Sequence, residues 1–155
     1  MRKTYTGIAW AIAGGVVVQA AAIAFGFGGM AHYIQEGGVV DKALVESREA
    51  TFTGDLGFPI HEIVGGMVLP LLALVLLGIS FFVRFPGARK WAAILFGLVV
   101  LQMMAGYSIK DLPYLGLFHG ANALAVLVTA VITARRARVV AAGSAAERAT
   151  ADVPA

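Results

Sequence analysis

Long apolar stretches separated by polar segments dominate the sequence. Four of them stand out, at about residues 7–27, 59–83, 91–107 and 112–134. An α-helix needs about 20 apolar residues, with a range of about 17–25, to cross the hydrocarbon core of a bilayer. The pattern therefore predicts an all-α integral membrane protein, in which residues 1–134 form a domain of four transmembrane helices.

The connections between these stretches differ in length. Residues 28–58 form an outer loop of about thirty residues, in which Asp41 is placed to cap a short helix, whereas the other two connections are short. Short connections join helices that are antiparallel neighbours. We therefore predict an up-down-up-down four-helix bundle, in which the second and fourth helices lie diagonally across the core.

The composition agrees with this fold class. Of the 155 residues, 59% are hydrophobic and only 14% are charged, whereas about 25% of a soluble domain is charged. The chain contains no cysteine, which excludes disulfides and thiolate metal sites.

The distribution of charge predicts the orientation. If the N-terminus is cytoplasmic, nine of the 12 Lys and Arg residues lie on that side, and the remaining three, Lys42, Arg48 and Lys110, lie outside. Cytoplasmic loops of membrane proteins carry an excess of basic residues. We therefore expect both termini in the cytoplasm and a multi-pass protein of the bacterial inner membrane.

Residues 135–155 follow the last apolar stretch. They begin with the basic run Arg135-Arg136-Ala137-Arg138 and continue as an Ala-rich polar tail, which we expect to be disordered. The basic run is typical of a topological anchor beside a lipid bilayer, so we expect the bilayer and no nucleic acid as its partner.

Two histidines are the main candidates for chemistry. His61 lies near the outer end of the second predicted helix and His119 near the outer end of the fourth. Ionisable residues within transmembrane helices are rare and usually functional, and cofactor ligands converge in the cores of bundles. We predict that His61 and His119 are the two metal ligands of one haem b, bound between the diagonal helices.

Small and polar residues accompany the histidines. Gly65 shares a helix face with His61, and Gly116 and Ala123 share one with His119, which leaves a slot for a flat cofactor or lets the helices pack closely. Gln102, at a similar depth, is a candidate partner of His119 or of a haem propionate, or a link between helices. Lys110 and Arg48 are candidate propionate partners.

Glu62 follows His61 directly and points about 100° away from it around the helix. It is a candidate proton-carrying group, and it is equally suited to face the headgroup region. Structural zinc takes four ligands and catalytic zinc usually three. Because Glu62 and His61 point in different directions, one bare metal ion is poorly placed to bind both of them together with His119.

The two histidine motifs resemble those of haem A synthases, which contain two four-helix halves. The first is Ile60-His61-Glu62-Ile63-Val64-Gly65-Gly66 and the second is Phe118-His119-Gly120-Ala121-Asn122-Ala123-Leu124-Ala125. Residues 58–134 look like one such half, which implies the bundle and the haem site. The chain resembles still more the small four-helix membrane proteins of high-GC bacteria, a resemblance that implies a fold but no activity.

The chain departs from the synthase pattern at three points. Glu62 stands where the family usually has arginine, Gly57 and Phe58 stand where it has a catalytic glutamate, and the cysteine pair is missing. The resemblance therefore implies a haem site without implying the oxygenase reaction, and enzymatic activity stays open.

Three functions follow from these residues. The first is a b-type haem protein for electron transfer or haem handling, with a second copy or a respiratory-chain protein as its partner. The second is a non-enzymatic accessory or assembly subunit, whose histidines bond only within the bundle. The third is a small proton-coupled carrier that uses Glu62, although the helices lack signs of an inverted repeat.

Overall fold

A computed structural model describes residues 1–47, 49 and 51–151, with side chains up to residue 137. All of its regular elements are helices, and no strand occurs among the described residues, which confirms the all-α prediction. The helices are α1 (Arg2–Gln35), α2 (Lys42–Ser47), α3 (Gly57–Ile63), α4 (Leu69–Ser80), α5 (Ala88–Ser108) and α6 (Leu115–Ala151). A π-helical turn, Val64–Val68, joins α3 to α4.

Four helical segments of the described chain are long and apolar enough to cross a membrane, as predicted. We call them the first to fourth spans: Arg2–Gln35, Gly57–Ser80, Ala88–Ser108 and Leu115–Ala137. The first span extends beyond both of its predicted ends; no proline interrupts it, and it ends two residues before Gly37, whose φ is +91°.

The spans pack in a ring. α1 packs against α3, α4 and α6, while α5 packs against α4 and α6. The second and fourth spans therefore each contact both of the other two, which places them at opposite corners, as the diagonal arrangement requires.

The side chains inside this ring are small and partly polar, and those on its outside are large and apolar. Ala9, Ala73 and Ala130 are fully buried, whereas Leu71 and Leu117 are more than half exposed. Small residues let transmembrane helices approach closely, and large apolar side chains on the outside suit a hydrocarbon environment. The pattern is that of a multi-pass membrane protein.

Aromatic contacts tie the elements together at one end of the ring. The Tyr5 hydroxyl donates a 2.9 Å hydrogen bond to the Ala88 carbonyl, and the Tyr5 ring meets Phe85 edge-on with 5.3 Å between centroids. Tyr5 is fully buried there, so the start of α1 is fixed against the start of α5.

The segment before α3 folds back over the end of α1. Tyr33 stacks on Phe52, whose ring lies edge-on to Phe58. A Cβ at Gly57 would overlap the Ala22 carbonyl, so glycine allows the close approach of α3 to α1. In the loop, the Leu44 amide donates 2.9 Å to the Asp41 carboxylate, which confirms the predicted cap of α2.

The last helix is longer than predicted. The tail expected to be disordered begins at residue 135, whereas the described backbone continues as helix to Ala151. Its alanines have the highest intrinsic helix propensity, which favours continuation of α6. Residues 152–155 lie outside the described part of the chain.

Candidate functional site

His61 lies in α3, four residues after the helix begins at Gly57, and its side chain is half-buried. Its Nδ1 is 3.2 Å from the backbone oxygen of Gln19 in the first span. A carbonyl only accepts, so this contact selects the tautomer in which Nδ1 carries the hydrogen. The other ring nitrogen, Nε2, then keeps its lone pair.

His119 has a matching arrangement in the fourth span. It lies four residues after α6 begins at Leu115, and its Nδ1 is 3.1 Å from the backbone oxygen of Gln102 in α5. The side-chain Nε2 of Gln102 donates in return to the His119 carbonyl at 3.0 Å. These two contacts fix the position of α6 along α5, and the histidine Nε2 again keeps its lone pair.

The two imidazoles lie next to each other across the ring of spans. Their centroids are 6.1 Å apart and their planes differ by 55°. A metal–imidazole bond is about 2 Å long, and the ring centre lies about 1 Å behind the nitrogen, so two imidazoles on opposite sides of one ion have centres about 6 Å apart. Of the predicted site residues, the structure therefore brings together His61, His119 and Gln102.

Asn122 is a member of this cluster that sequence reasoning missed. Its buried Nδ2 donates to the Gln102 Oε1 at 2.7 Å and to the Leu98 carbonyl at 2.9 Å. Gln102 thus accepts from Asn122 and donates to His119, and both ends of its amide are engaged. The sequence feature that could have identified Asn122 is its spacing, since it follows His119 by three residues and so lies on the same helix face.

Gly106 is a second residue that the sequence did not single out. A Cβ at this position would lie 3.0 Å from Cε1 of His119 and 3.3 Å from its Nδ1. Carbon atoms pack best at about 3.5–4.0 Å, so a glycine at this position allows the imidazole to pack closely against α5. Gly106 follows Gln102 by four residues, and that spacing was the signal available.

The predicted small residues have different surroundings. A Cβ at Gly65 would lie 2.8 Å from Oε1 of Gln19, so Gly65 makes room for that amide. A Cβ at Gly116 would meet nothing within 4 Å, so open space adjoins the helix face one turn before His119. Ala123 is half-buried and packs against the apolar core.

Gln19 completes a polar layer to which all four spans contribute. The layer consists of Gln19, His61, Gln102, His119 and Asn122. Gln19 is only 8% exposed, and its Nε2 forms no hydrogen bond with any described residue. The π-helical turn Val64–Val68 begins three residues after His61, and such turns occur often at functional sites.

Glu62 is not part of this layer. Its side chain is exposed, and no hydrogen bond or ion pair joins it to the described residues. Lys110 is also exposed. Arg48, the other candidate propionate partner, lies outside the described residues.

The donor set of the site is two imidazoles. Among the described side chains, no group of three or more His, Asp or Glu residues is placed to hold a metal ion. A structural zinc takes four protein ligands and a catalytic zinc usually three, whereas haem iron needs only the axial positions from the protein. The residues present therefore fit haem better than a bare ion.

Comparison of the chain with protein-family models, with curated proteins and with solved structures gave no match. Function is therefore inferred from the geometry of the polar layer and from the two histidine motifs.

Proposed function

We propose that the chain is a membrane b-type haem protein in which His61 and His119 bind one haem as its axial ligands. The observation that carries this proposal is the pairing of the two rings. Each Nδ1 contacts a backbone carbonyl of another span, and the ring centroids are 6.1 Å apart. Each Nε2 therefore keeps a lone pair for a metal, and the centroid separation is close to that of two imidazoles on opposite sides of one ion.

The residues around the ligands hold and tune them. A carbonyl that accepts from Nδ1 fixes the ring orientation and makes the opposite nitrogen a stronger base, as the backbone oxygens of Gln19 and Gln102 do here. Asn122 holds the Gln102 amide in place. When bound, haem supplies one-electron oxidation and reduction.

Bis-histidine ligation favours electron transfer or haem handling. His61 and His119 would together hold the haem iron, so an external ligand would bind only if one of the two histidines left it. Glu62 is exposed rather than aimed into the polar layer, so we assign it no catalytic role. A second copy of the chain or a respiratory-chain protein is the partner that we propose for electron exchange.

We further propose that the spans run up-down-up-down in a bacterial inner membrane, with both termini cytoplasmic and the histidines nearer the outer face. The excess of basic residues on the predicted cytoplasmic side supports this orientation. Because the chain has no cysteine, single-cysteine variants test it directly. An impermeant thiol reagent applied to intact cells should label Ser47→Cys and not Lys3→Cys, and the reverse result would invert the topology.

The haem assignment is tested by an absorption spectrum of the full chain purified from haem-replete cells. We expect a Soret band that shifts on reduction with dithionite, and we expect His61→Ala and His119→Ala each to abolish the low-spin spectrum. His32→Ala is the matched control, because this third histidine is exposed and pairs with Glu36. A colourless wild-type protein would overturn the proposal and favour the accessory-subunit function.

A further inference from the structure

A cavity of about 490 Å³ lies beyond the end of the second span that is farther from His61. It is formed by the connection from α4 to α5 and the first turn of α5. Its lining includes three cationic side chains, Arg84, Arg89 and Lys90, together with the aromatic rings of Phe81 and Phe82. No Asp or Glu lines it, so the cavity is strongly positive and partly apolar.

The three cations have no carboxylate partner among the described residues. The ion pairs of the described side chains lie in α1 and α2, away from this cavity. The Arg89 guanidinium instead lies 5.2 Å from the centroid of the Phe81 ring. Because all three cations line one cavity, an anion bound there is attracted by each of them.

The start of α5 adds to the positive potential. Gly87 precedes the helix with φ +83°, and neither a side-chain cap nor an acidic residue occupies the first turn of this 21-residue helix. The first backbone N–H groups of a helix have no intrahelical acceptor, and they favour anions, phosphates above all. This first turn lines the same cavity as the cations; its first amide, Ala88 N–H, donates to the Phe85 carbonyl at 3.3 Å, and no side chain caps the amides that follow.

We propose that this cavity binds the phosphate of an anionic phospholipid headgroup. Two sources of phosphate match the charge, a lipid and a free ion, and the aromatic rings favour the lipid. Phe81 is 58% exposed and Phe82 is 71% exposed beside the cations, where acyl chains would cover them. Basic pockets at the ends of transmembrane helices are the sites where acidic lipid headgroups bind.

The test uses the full-length protein in detergent, stripped of lipid and then exposed to micelles that contain either phosphatidylglycerol or phosphatidylcholine. Retained lipid is measured by native mass spectrometry. Each basic residue near an anionic lipid strengthens binding about fivefold, so the double variant Arg89→Gln with Lys90→Gln should bind phosphatidylglycerol about 25-fold more weakly than wild type. Arg89→Lys with Lys90→Arg preserves the charge and should retain binding.

Lys42→Gln is the matched control, since Lys42 is exposed in α2, before the second span, and pairs there with Glu46, so its loss should leave phosphatidylglycerol binding unchanged. Binding of phosphatidylglycerol that is equal in wild type and in the double glutamine variant would overturn the proposal, as would equal retention of phosphatidylcholine. Phe82→Ser separates the two sources of phosphate. Weaker lipid binding by Phe82→Ser supports the lipid, whereas unchanged binding, with inorganic phosphate displacing the lipid, assigns the cavity to the free ion instead.

Discussion

Gly106→Ala is the sharpest test of how His119 is held. The new methyl group would lie 3.0 Å from Cε1 of His119, and carbon atoms pack best at about 3.5–4.0 Å. The imidazole therefore has to move away from α5 by about 0.5 Å. Because its acceptor, the Gln102 carbonyl, also belongs to α5, we expect the shift to lengthen and weaken the 3.1 Å contact.

The cost in stability is small, which makes the variant informative. Loss of the hydrogen bond costs about 1 kcal/mol. Replacing glycine by alanine inside a helix contributes up to about 1 kcal/mol in the opposite direction. We therefore expect the free energy of unfolding to change by less than about 1 kcal/mol, while the orientation of His119, the proposed haem ligand, changes.

The assay compares two variants of the same helix. Haem content per protein and the low-spin electron paramagnetic resonance signal report on ligation, and thermal unfolding reports on stability. Gly97→Ala is the control, because a Cβ there would meet nothing within 4 Å. We expect lower haem content and a shifted low-spin signal for Gly106→Ala only. If both variants match wild type in both measurements, Gly106 does not seat the imidazole and the reasoning is wrong.

Three further substitutions probe other contacts. Asn122→Leu removes the donor to Gln102 and should lower the free energy of unfolding by about 1–2 kcal/mol and broaden the low-spin signal, as seen by thermal unfolding and magnetic resonance. Tyr5→Phe removes the hydrogen bond to the Ala88 carbonyl, at the end of the bundle away from the histidines. It should lower the free energy of unfolding by about 1 kcal/mol and leave the haem spectrum unchanged, and a changed spectrum would show that the two ends of the bundle are coupled. Gly57→Ala forces α3 away from the Ala22 carbonyl and should cost about 1–3 kcal/mol and reduce haem content; wild-type stability would refute the close packing of α1 and α3.

Much of the fold was predictable because a bilayer restricts the choices of a chain. In hydrocarbon every backbone polar group must be satisfied within the segment, so a long apolar stretch becomes a helix. The four spans and the cap of α2 by Asp41 follow from such local rules. Helix ends were less predictable, because α1 and α6 continue into polar residues that are compatible with helix but do not require it.

The site was only partly predictable, for a different physical reason. His61 and His119 stand out in the sequence because polar groups are costly in a membrane, and Gln102 stands out for the same cause. Their partners do not stand out. Gln102 was a candidate partner of His119 because of its side chain, but the acceptors of both Nδ1 atoms are backbone carbonyls, which every residue carries, so residue type could not identify them.

Glycines show the same division between sequence and structure. Gly65 was interpreted as opening a slot beside His61 or as letting helices pack closely, and the space next to it holds the Gln19 amide, whereas Gly106, which the sequence did not single out, lies against the His119 ring. The sequence by itself determined the class of protein and the number of spans, and it singled out the two histidines of the proposed site, because these depend on length, polarity and residue type along one chain. Only the tertiary structure decided which carbonyl each imidazole meets and which glycine each side chain needs, because those are contacts between separate helices, set by their rotation and relative height.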